Sequence, residues 1–67
     1  MRNALKVQRA MHDLTQAALA ERIKVSRKSI NAIETGNMVP SVVLALKLAA
    51  TFNVPLETLF QLEPENP

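Results

Sequence analysis

The chain has 67 residues, no cysteine and one histidine, and its formal net charge is only +2. This length predicts one domain over residues 1–67, with an ordered core over about residues 3–61 and a tail over 62–67. The composition excludes disulfides and thiolate metal sites, and no metal or cofactor is expected, so the 48% hydrophobic content must stabilise the fold. No apolar run approaches the roughly 20 residues that span a bilayer, and the chain starts without a signal peptide, so a cytoplasmic location is expected.

The charges are unevenly distributed along the chain. All eight basic residues lie within residues 1–53, together with only three acidic residues, whereas residues 54–67 hold three glutamates and no basic residue. Four of the basic side chains fall between Arg22 and Lys28. Such a cluster is compatible with nucleic-acid binding, and equally with an ordinary solvated surface.

The first helix is predicted over about residues 3–12. Ala4, Val7 and Met11 recur at steps of three and four residues, with Leu14 continuing the row, and this spacing marks one face of a helix. We therefore expect these residues to form its buried side.

Two short helices joined by a tight turn are predicted next. Thr15 and Ser26 can cap the two helix starts, and Lys24-Val25 forms the turn between them. Gly36 then ends the third helix, because glycine tolerates a left-handed backbone. The expected inward residues are Ala17 or Ala18, Leu19, Ala20, Ile23, Val25, Ile30 and Ile33.

A fourth helix is predicted from Ser41, whose hydroxyl can cap its start, to about Phe52, and a short fifth helix follows Pro55. The fourth helix is apolar almost all round, which is typical of a helix at the centre of a core or in an interface. No strand pattern is found, so the expected fold is all-α with five helices.

The second and third helices together suit a helix-turn-helix, in which the second helix of the motif lies in the major groove of DNA. The exposed side of the third helix carries Arg27, Lys28, Asn31 and Ala32. Arg27 and Lys28 can donate to guanine O6 and N7, Asn31 can pair with adenine or reach a phosphate, and Ala32 can meet a thymine methyl. Each is also compatible with a solvated surface position outside such a motif.

The motif residues extend well beyond this segment. They are Leu14, Thr15, Gln16, Leu19, Ala20, Val25, Ser26, Arg27, Ile30, Ala32, Ile33, Glu34, Gly36, Pro40, Ser41, Ala45, Leu46, Leu48, Ala49, and Val54 with Leu59 and Phe60. With these residues the chain resembles the Cro/cI-type helix-turn-helix domains, the XRE family of the lambda-repressor-like fold, over residues 3–60 or so. The resemblance implies a five-helix bundle that binds double-stranded DNA through helices two and three.

The resemblance also assigns roles to single residues. It implies that Gln16 contacts a phosphate or a base edge, that Ser26 belongs to the DNA-binding set, and that Asn37 lies against the DNA backbone. It further implies that Arg9 of the first helix pairs with Glu34 at the end of the third.

Two residues depart from the family pattern. Lys24 stands where the turn usually has glycine, so the turn is either strained or differently shaped. Gln8 stands where relatives often have leucine, and Met11 is expected to fill that space.

The expected function is that of a sequence-specific DNA-binding transcriptional regulator, acting as a repressor. A homodimer is expected through the helix-five region, with Val54, Leu56 and Phe60 as candidates. The alternative is an antitoxin or protein-binding adaptor with the same fold. Enzymatic activity is not expected, because His12 and the carboxylates have no catalytic spacing.

Overall fold

The computed structural model describes residues 1–63 and contains five helices and two very short strands in this range. The helices are α1 (Leu5–Met11), α2 (Gln16–Ile23), α3 (Arg27–Glu34), α4 (Val42–Phe52) and α5 (Leu56–Leu59). The strands β1 (Arg2–Asn3) and β2 (Phe60–Gln61) pair antiparallel, with Arg2 opposite Gln61 and Asn3 opposite Phe60. The predicted five-helix bundle is confirmed, and residues 64–67 of the expected tail lie outside the described residues.

The three predicted hydroxyl caps are present. Thr15 Oγ1 accepts from the Ala18 backbone N–H at 3.0 Å, Ser26 Oγ from that of Ser29 at 3.0 Å, and Ser41 Oγ from that of Leu44 at 3.1 Å. Each bond satisfies one of the backbone donors that the first turn of a helix leaves unpaired. The starts of α2, α3 and α4 are therefore encoded locally.

Left-handed residues end two of these helices. Lys24 follows α2 with φ +60°, and Asn53 follows α4 with φ +53°. Gly36, two residues after α3, has φ +82°. The turn between α2 and α3 thus keeps a left-handed residue even though that residue is lysine and not glycine. Of the two possibilities raised by the sequence, a strained turn or a differently shaped one, the structure has the strained turn.

The core lies where all five helices meet. Ala20 of α2 is buried, as predicted, and α2 packs against α3. The fully buried side chains are Leu5, Leu19, Ile30, Ile33, Leu48 and Leu59.

The prediction for the first helix is wrong about its buried face. Val7 and Met11 are 58% and 69% exposed, whereas Leu5 and Gln8 are buried. Pairing of β1 with β2 and the 2.9 Å bond from Asn3 Nδ2 to the Ile33 carbonyl fix the entry to α1 and turn the Leu5 side inward. Met11 consequently does not fill the space at Gln8, which Gln8 occupies itself.

The same strand pair corrects the expectation that the chain contains no strand. Two residues in each strand are too few for an alternating pattern to be recognised in the sequence. The sheet joins the two ends of the described chain and holds α1 beside α5.

Helix α4 contributes one of its sides to the core. Ala45, Leu48, Ala49 and Phe52 are buried, while Val42, Val43 and Leu46 are exposed. Within residues 1–63 no helix has the length and apolar character needed to cross a membrane.

Candidate nucleic-acid interface

Helix α3 presents a polar surface because its two faces carry different residue types. Ile30 and Ile33 are buried against the core, and Arg27, Lys28 and Asn31 lie on the exposed side. The Ser26 cap fixes the start of the helix, so the first turn projects Arg27 and Lys28 from a defined backbone.

Four of the predicted DNA-binding residues line one concave surface. Gln16 at the start of α2 faces Arg27, Lys28 and Asn31 of α3 across a shallow hollow of about 400 Å³. Arg27 and Lys28 contribute positively charged donors, and Gln16 and Asn31 contribute side-chain amides. The hollow is therefore a donor-rich surface that suits an anionic or acceptor-rich ligand.

The other predicted DNA-binding residues, Ser26, Ala32 and Asn37, do not line this hollow. Ser26 is exposed, but its hydroxyl is engaged by its own helix and lies 2.9 Å from that of Ser29. Ala32 is half-buried at the edge of α3. Asn37 is exposed in the loop after α3, where its Nδ2 donates to Thr35 Oγ1 at 3.1 Å.

Arg9 and Glu34 form an ion pair beneath the hollow. Arg9 Nε donates to Glu34 Oε2 at 2.8 Å, and Nη2 donates to Oε1 at 3.2 Å. The remaining guanidinium nitrogen, Nη1, donates to the Leu14 carbonyl at 2.9 Å. The side chains are 16% and 4% exposed, so the pair is largely removed from water and joins α1 to the end of α3.

Gln16 connects this ion pair to the exposed surface. Its Nε2 donates to Glu34 Oε1 at 3.1 Å and to Asn31 Oδ1 at 3.2 Å. The sequence interpretation gave Gln16 only an outward role and missed this inward bond. The sequence does contain a signal for this bond: Gln16 directly follows the Thr15 cap of α2, and the neighbouring helix α3 ends at Glu34.

The hydrogen bonds outweigh burial in their effect on Glu34. Burial alone would raise the pKa of the Glu34 carboxyl, but the bonds from Arg9 and Gln16 hold that pKa below its ordinary value. For Arg9, the bond from its guanidinium to Glu34 raises the pKa further above its already high value. Both groups are therefore charged at neutral pH.

A second group of cations lies away from this surface. Arg22, Lys24 and Lys47 line a separate hollow of about 420 Å³ between α2 and α4. The sequence cluster of residues 22–28 is thus divided by the fold, and only Arg27 and Lys28 face Gln16. Among residues 1–63, no three histidine or acidic side chains come together in a way that could hold a metal ion.

A family model described as helix-turn-helix matches residues 5–59, which span all five helices. The chain belongs to the Cro/cI-type helix-turn-helix family. The two helices of the motif in this helix-turn-helix protein are α2 and α3, and residues of both line the hollow.

Relatives of this helix-turn-helix protein occur in archaea and bacteria. An uncharacterized HTH-type transcriptional regulator of Methanocaldococcus jannaschii is 48% identical over 65 residues, covering 97% of this chain and 98% of the relative. The uncharacterized HTH-type transcriptional regulator YgzD of Bacillus subtilis is 42% identical over 66 residues, covering 98% of this chain and all of the relative. A further HTH-type transcriptional regulator, from Archaeoglobus fulgidus, is 40% identical over 65 residues, covering 97% of this chain and 92% of the relative.

Proposed function

We propose that this protein is a sequence-specific DNA-binding transcriptional regulator that acts as a repressor, with α3 inserted in the major groove. The observation that carries the proposal is the shared surface of Gln16, Arg27, Lys28 and Asn31 in a helix-turn-helix chain. The relatives named as transcriptional regulators match nearly its whole length, which supports the same role here.

The groups on this surface are of two kinds: some are suited to position the protein on the DNA backbone, and others are suited to recognise bases. Backbone N–H groups at the start of α2 and the loop at Asn37 flank α3 and are suited to phosphate oxygens. Arg27 and Lys28 stand on the first turn of α3, where their donors suit guanine O6 and N7. Neither side chain forms a salt bridge within residues 1–63, so both are available to DNA.

The protein-binding alternative would be favoured by an acidic or apolar outer face on α3. The face carries Arg27 and Lys28 instead, and this is why DNA is preferred as the partner. An enzymatic role is not proposed, because the hollow brings together amides and cations without an activated nucleophile.

The proposed protein binds a two-fold site as a homodimer, because one module of this size buries too little surface for tight operator binding. Val54, Leu56 and Phe60 are half-buried against the core of their own chain, and their outer parts are left for a partner. Leu62, which follows β2, is 88% exposed and extends this apolar edge. We therefore place the dimer contact at the helix-five region.

Two exposed residues provide a matched test of the dimer. Leu62→Glu should shift the protein from dimer to monomer in sedimentation at micromolar concentration, whereas Val42→Glu on the exposed side of α4 should leave the dimer intact. Neither change buries a charge in the monomer, because both side chains are mostly exposed. The opposite pattern would move the interface to α4.

The function itself is tested by selecting bound sequences from a random pool of double-stranded DNA. Enrichment of one two-fold motif is expected, and its half-sites should lie about one helical turn apart, roughly 34 Å. Transcription in vitro from a promoter that overlaps this motif should fall when the protein is added. Recovery of an unenriched pool would contradict sequence-specific binding.

A further inference from the structure

We propose that the Arg9–Glu34 ion pair, acting through Gln16, orients the amide of Asn31 so that its Nδ2 donor faces the DNA. This inference rests on the proposed function and deepens it. It makes Asn31 a specificity-determining residue that selects a hydrogen-bond acceptor on a base edge. Gln16 is then a positioning residue, and its NH₂ group is not a phosphate ligand.

The direction of this hydrogen-bond chain is set by its charged end. A guanidinium has only donors and an ionised carboxylate has only acceptors. Glu34 Oε1 receives Arg9 Nη2 at 3.2 Å and lies 3.1 Å from the Gln16 amide. Because Oε1 can only accept, the part of Gln16 that faces it must be the NH₂ group.

The orientation passes from Gln16 to Asn31. Gln16 Nε2 is also 3.2 Å from the Asn31 amide, and a donor at this position requires an oxygen opposite it. Oδ1 of Asn31 is therefore turned toward Gln16. Both hydrogens of Gln16 Nε2 are then engaged within the protein.

The Nδ2 group of Asn31 remains for a ligand. Among residues 1–63, no protein group accepts a hydrogen bond from it, and Asn31 is exposed on the hollow beside Arg27 and Lys28. A fixed donor there matches purine N7, guanine O6 or thymine O4, and it does not match the N4 amino group of cytosine. The whole α3 surface thus presents donors, so we expect guanine-rich half-sites.

The experiment uses the full chain and the motif selected from the random pool. Each purine in the motif is replaced in turn by its 7-deaza analogue, which lacks the N7 acceptor, and affinity is measured for wild type, Asn31→Ala and Asn31→Asp. Aspartate has nearly the shape of asparagine and can accept from Gln16, but it has no donor to present. Where Asn31 contacts a purine N7, the analogue should weaken wild type by about 2- to 12-fold and leave both variants unchanged.

A second set of variants tests whether Gln16 transmits the orientation from Glu34 to Asn31. Gln16→Leu should reduce discrimination among the four base pairs at the Asn31 position, by about the same 2- to 12-fold, and leave discrimination at other positions unchanged. Asn31→Asp should shift preference at that one position toward a base with an exposed amino group. The control is Thr51→Val, which removes a side-chain donor from the separate hollow beside α4, where the Thr51 hydroxyl donates to the Lys47 carbonyl, and it should change neither preference.

The outcomes separate this inference from the proposed function. If Asn31→Ala weakened all sequences equally, Asn31 would be a phosphate contact and the inference would be overturned. If Gln16→Leu left discrimination among the four base pairs at the Asn31 position unchanged, Gln16 would not orient Asn31 and the inference would be overturned. A wild-type protein with no sequence preference would overturn the proposed function, and the inference with it.

Discussion

Helices α1 and α3 are of similar length, seven and eight residues, yet they are held in place by different means. Helix α3 starts at the Ser26 hydroxyl cap. It buries Ile30 and Ile33, which are three residues apart and therefore lie on the same face of the helix. Helix α1 has no side-chain cap, and its position depends on Asn3, Arg9 and the strand pair, all of which bond to residues far along the chain.

This difference assigns separate tasks to local and distant contacts. Local signals form the α2–α3 pair, and distant contacts attach α1 to it through Ile33 and Glu34 at the end of α3. Substitutions of the residues that anchor α1 should therefore also affect the end of α3, the proposed reading helix. Substitutions on the exposed face of α1 should have little effect on α3.

The largest effect is expected at Leu5, which is fully buried on α1. Leu5→Ala should destabilise the protein by about 2–5 kcal/mol, because it leaves a cavity in the core. Met11→Ala on the exposed side of the same helix should change stability by less than about 0.5 kcal/mol. Urea unfolding measures both, and a larger loss for Met11→Ala would reverse the assignment of the two faces.

Removing the anchor between α1 and α3 should have the next largest effect. Arg9→Ala should cost about 3 kcal/mol, because it leaves the almost fully buried Glu34 carboxylate without its cation. The double variant Arg9→Met with Glu34→Leu should recover much of this loss, since both charges are then absent.

A double-mutant cycle in urea measures the coupling between Arg9 and Glu34. Coupling below about 0.5 kcal/mol would equate the pair with a solvent-exposed salt bridge. Arg9→Ala should also weaken DNA binding, because Glu34 ends α3 and holds Gln16.

Overpacking within the α2–α3 pair should have a moderate effect. Ala20→Leu inserts three carbon atoms where α2 and α3 approach each other, and such changes commonly cost about 1–3 kcal/mol. Ala17→Leu on the exposed side of α2 is the control and should be nearly neutral. Equal melting temperatures for the two variants would show that the helix contact at Ala20 tolerates a larger side chain.

The smallest effect is expected at the turn. Lys24→Gly should stabilise by less than about 1 kcal/mol or be neutral, because relief of the left-handed strain is offset by the greater freedom of glycine when unfolded. Asn53→Gly is the matched comparison at the end of α4, where Asn53 is also left-handed, and its gain should be smaller, because asparagine tolerates this conformation better. A clear loss of stability for Lys24→Gly would mean that the lysine side chain itself supports the turn.

The parts of the fold that could be predicted from sequence are those with local signals. Thr15, Ser26 and Ser41 can be recognised as caps because the hydroxyl and the N–H that it accepts are three residues apart. The buried side of α1 could not be predicted, because Val7 and Met11 fit a helical stripe as well as Leu5 does. Distant contacts decide which side faces the core: the strand pair, between residues almost sixty positions apart, and the bond from Asn3 to the Ile33 carbonyl.

The candidate site shows the same limit. Arg27, Lys28 and Asn31 follow from the period of α3, and the family resemblance supplied Gln16, Arg9 and Glu34. The contact between Gln16 and Glu34 could not be predicted, because it depends on how closely the start of α2 approaches the end of α3. The sequence thus predicted the residues of the site, and the three-dimensional structure shows which of them form hydrogen bonds with one another.

The central claim, that the exposed start of α3 reads DNA sequence, is tested most directly by base preference in charge-matched variants. Arg27→Ala and Lys28→Ala should each weaken binding to the selected motif by about 1–3 kcal/mol and relax preference at particular base pairs. Lys47→Ala removes the same charge from the separate hollow beside α4 and should leave base preference unchanged. Full affinity and unchanged preference in the Arg27 and Lys28 variants would contradict the assignment of α3 as the reading helix.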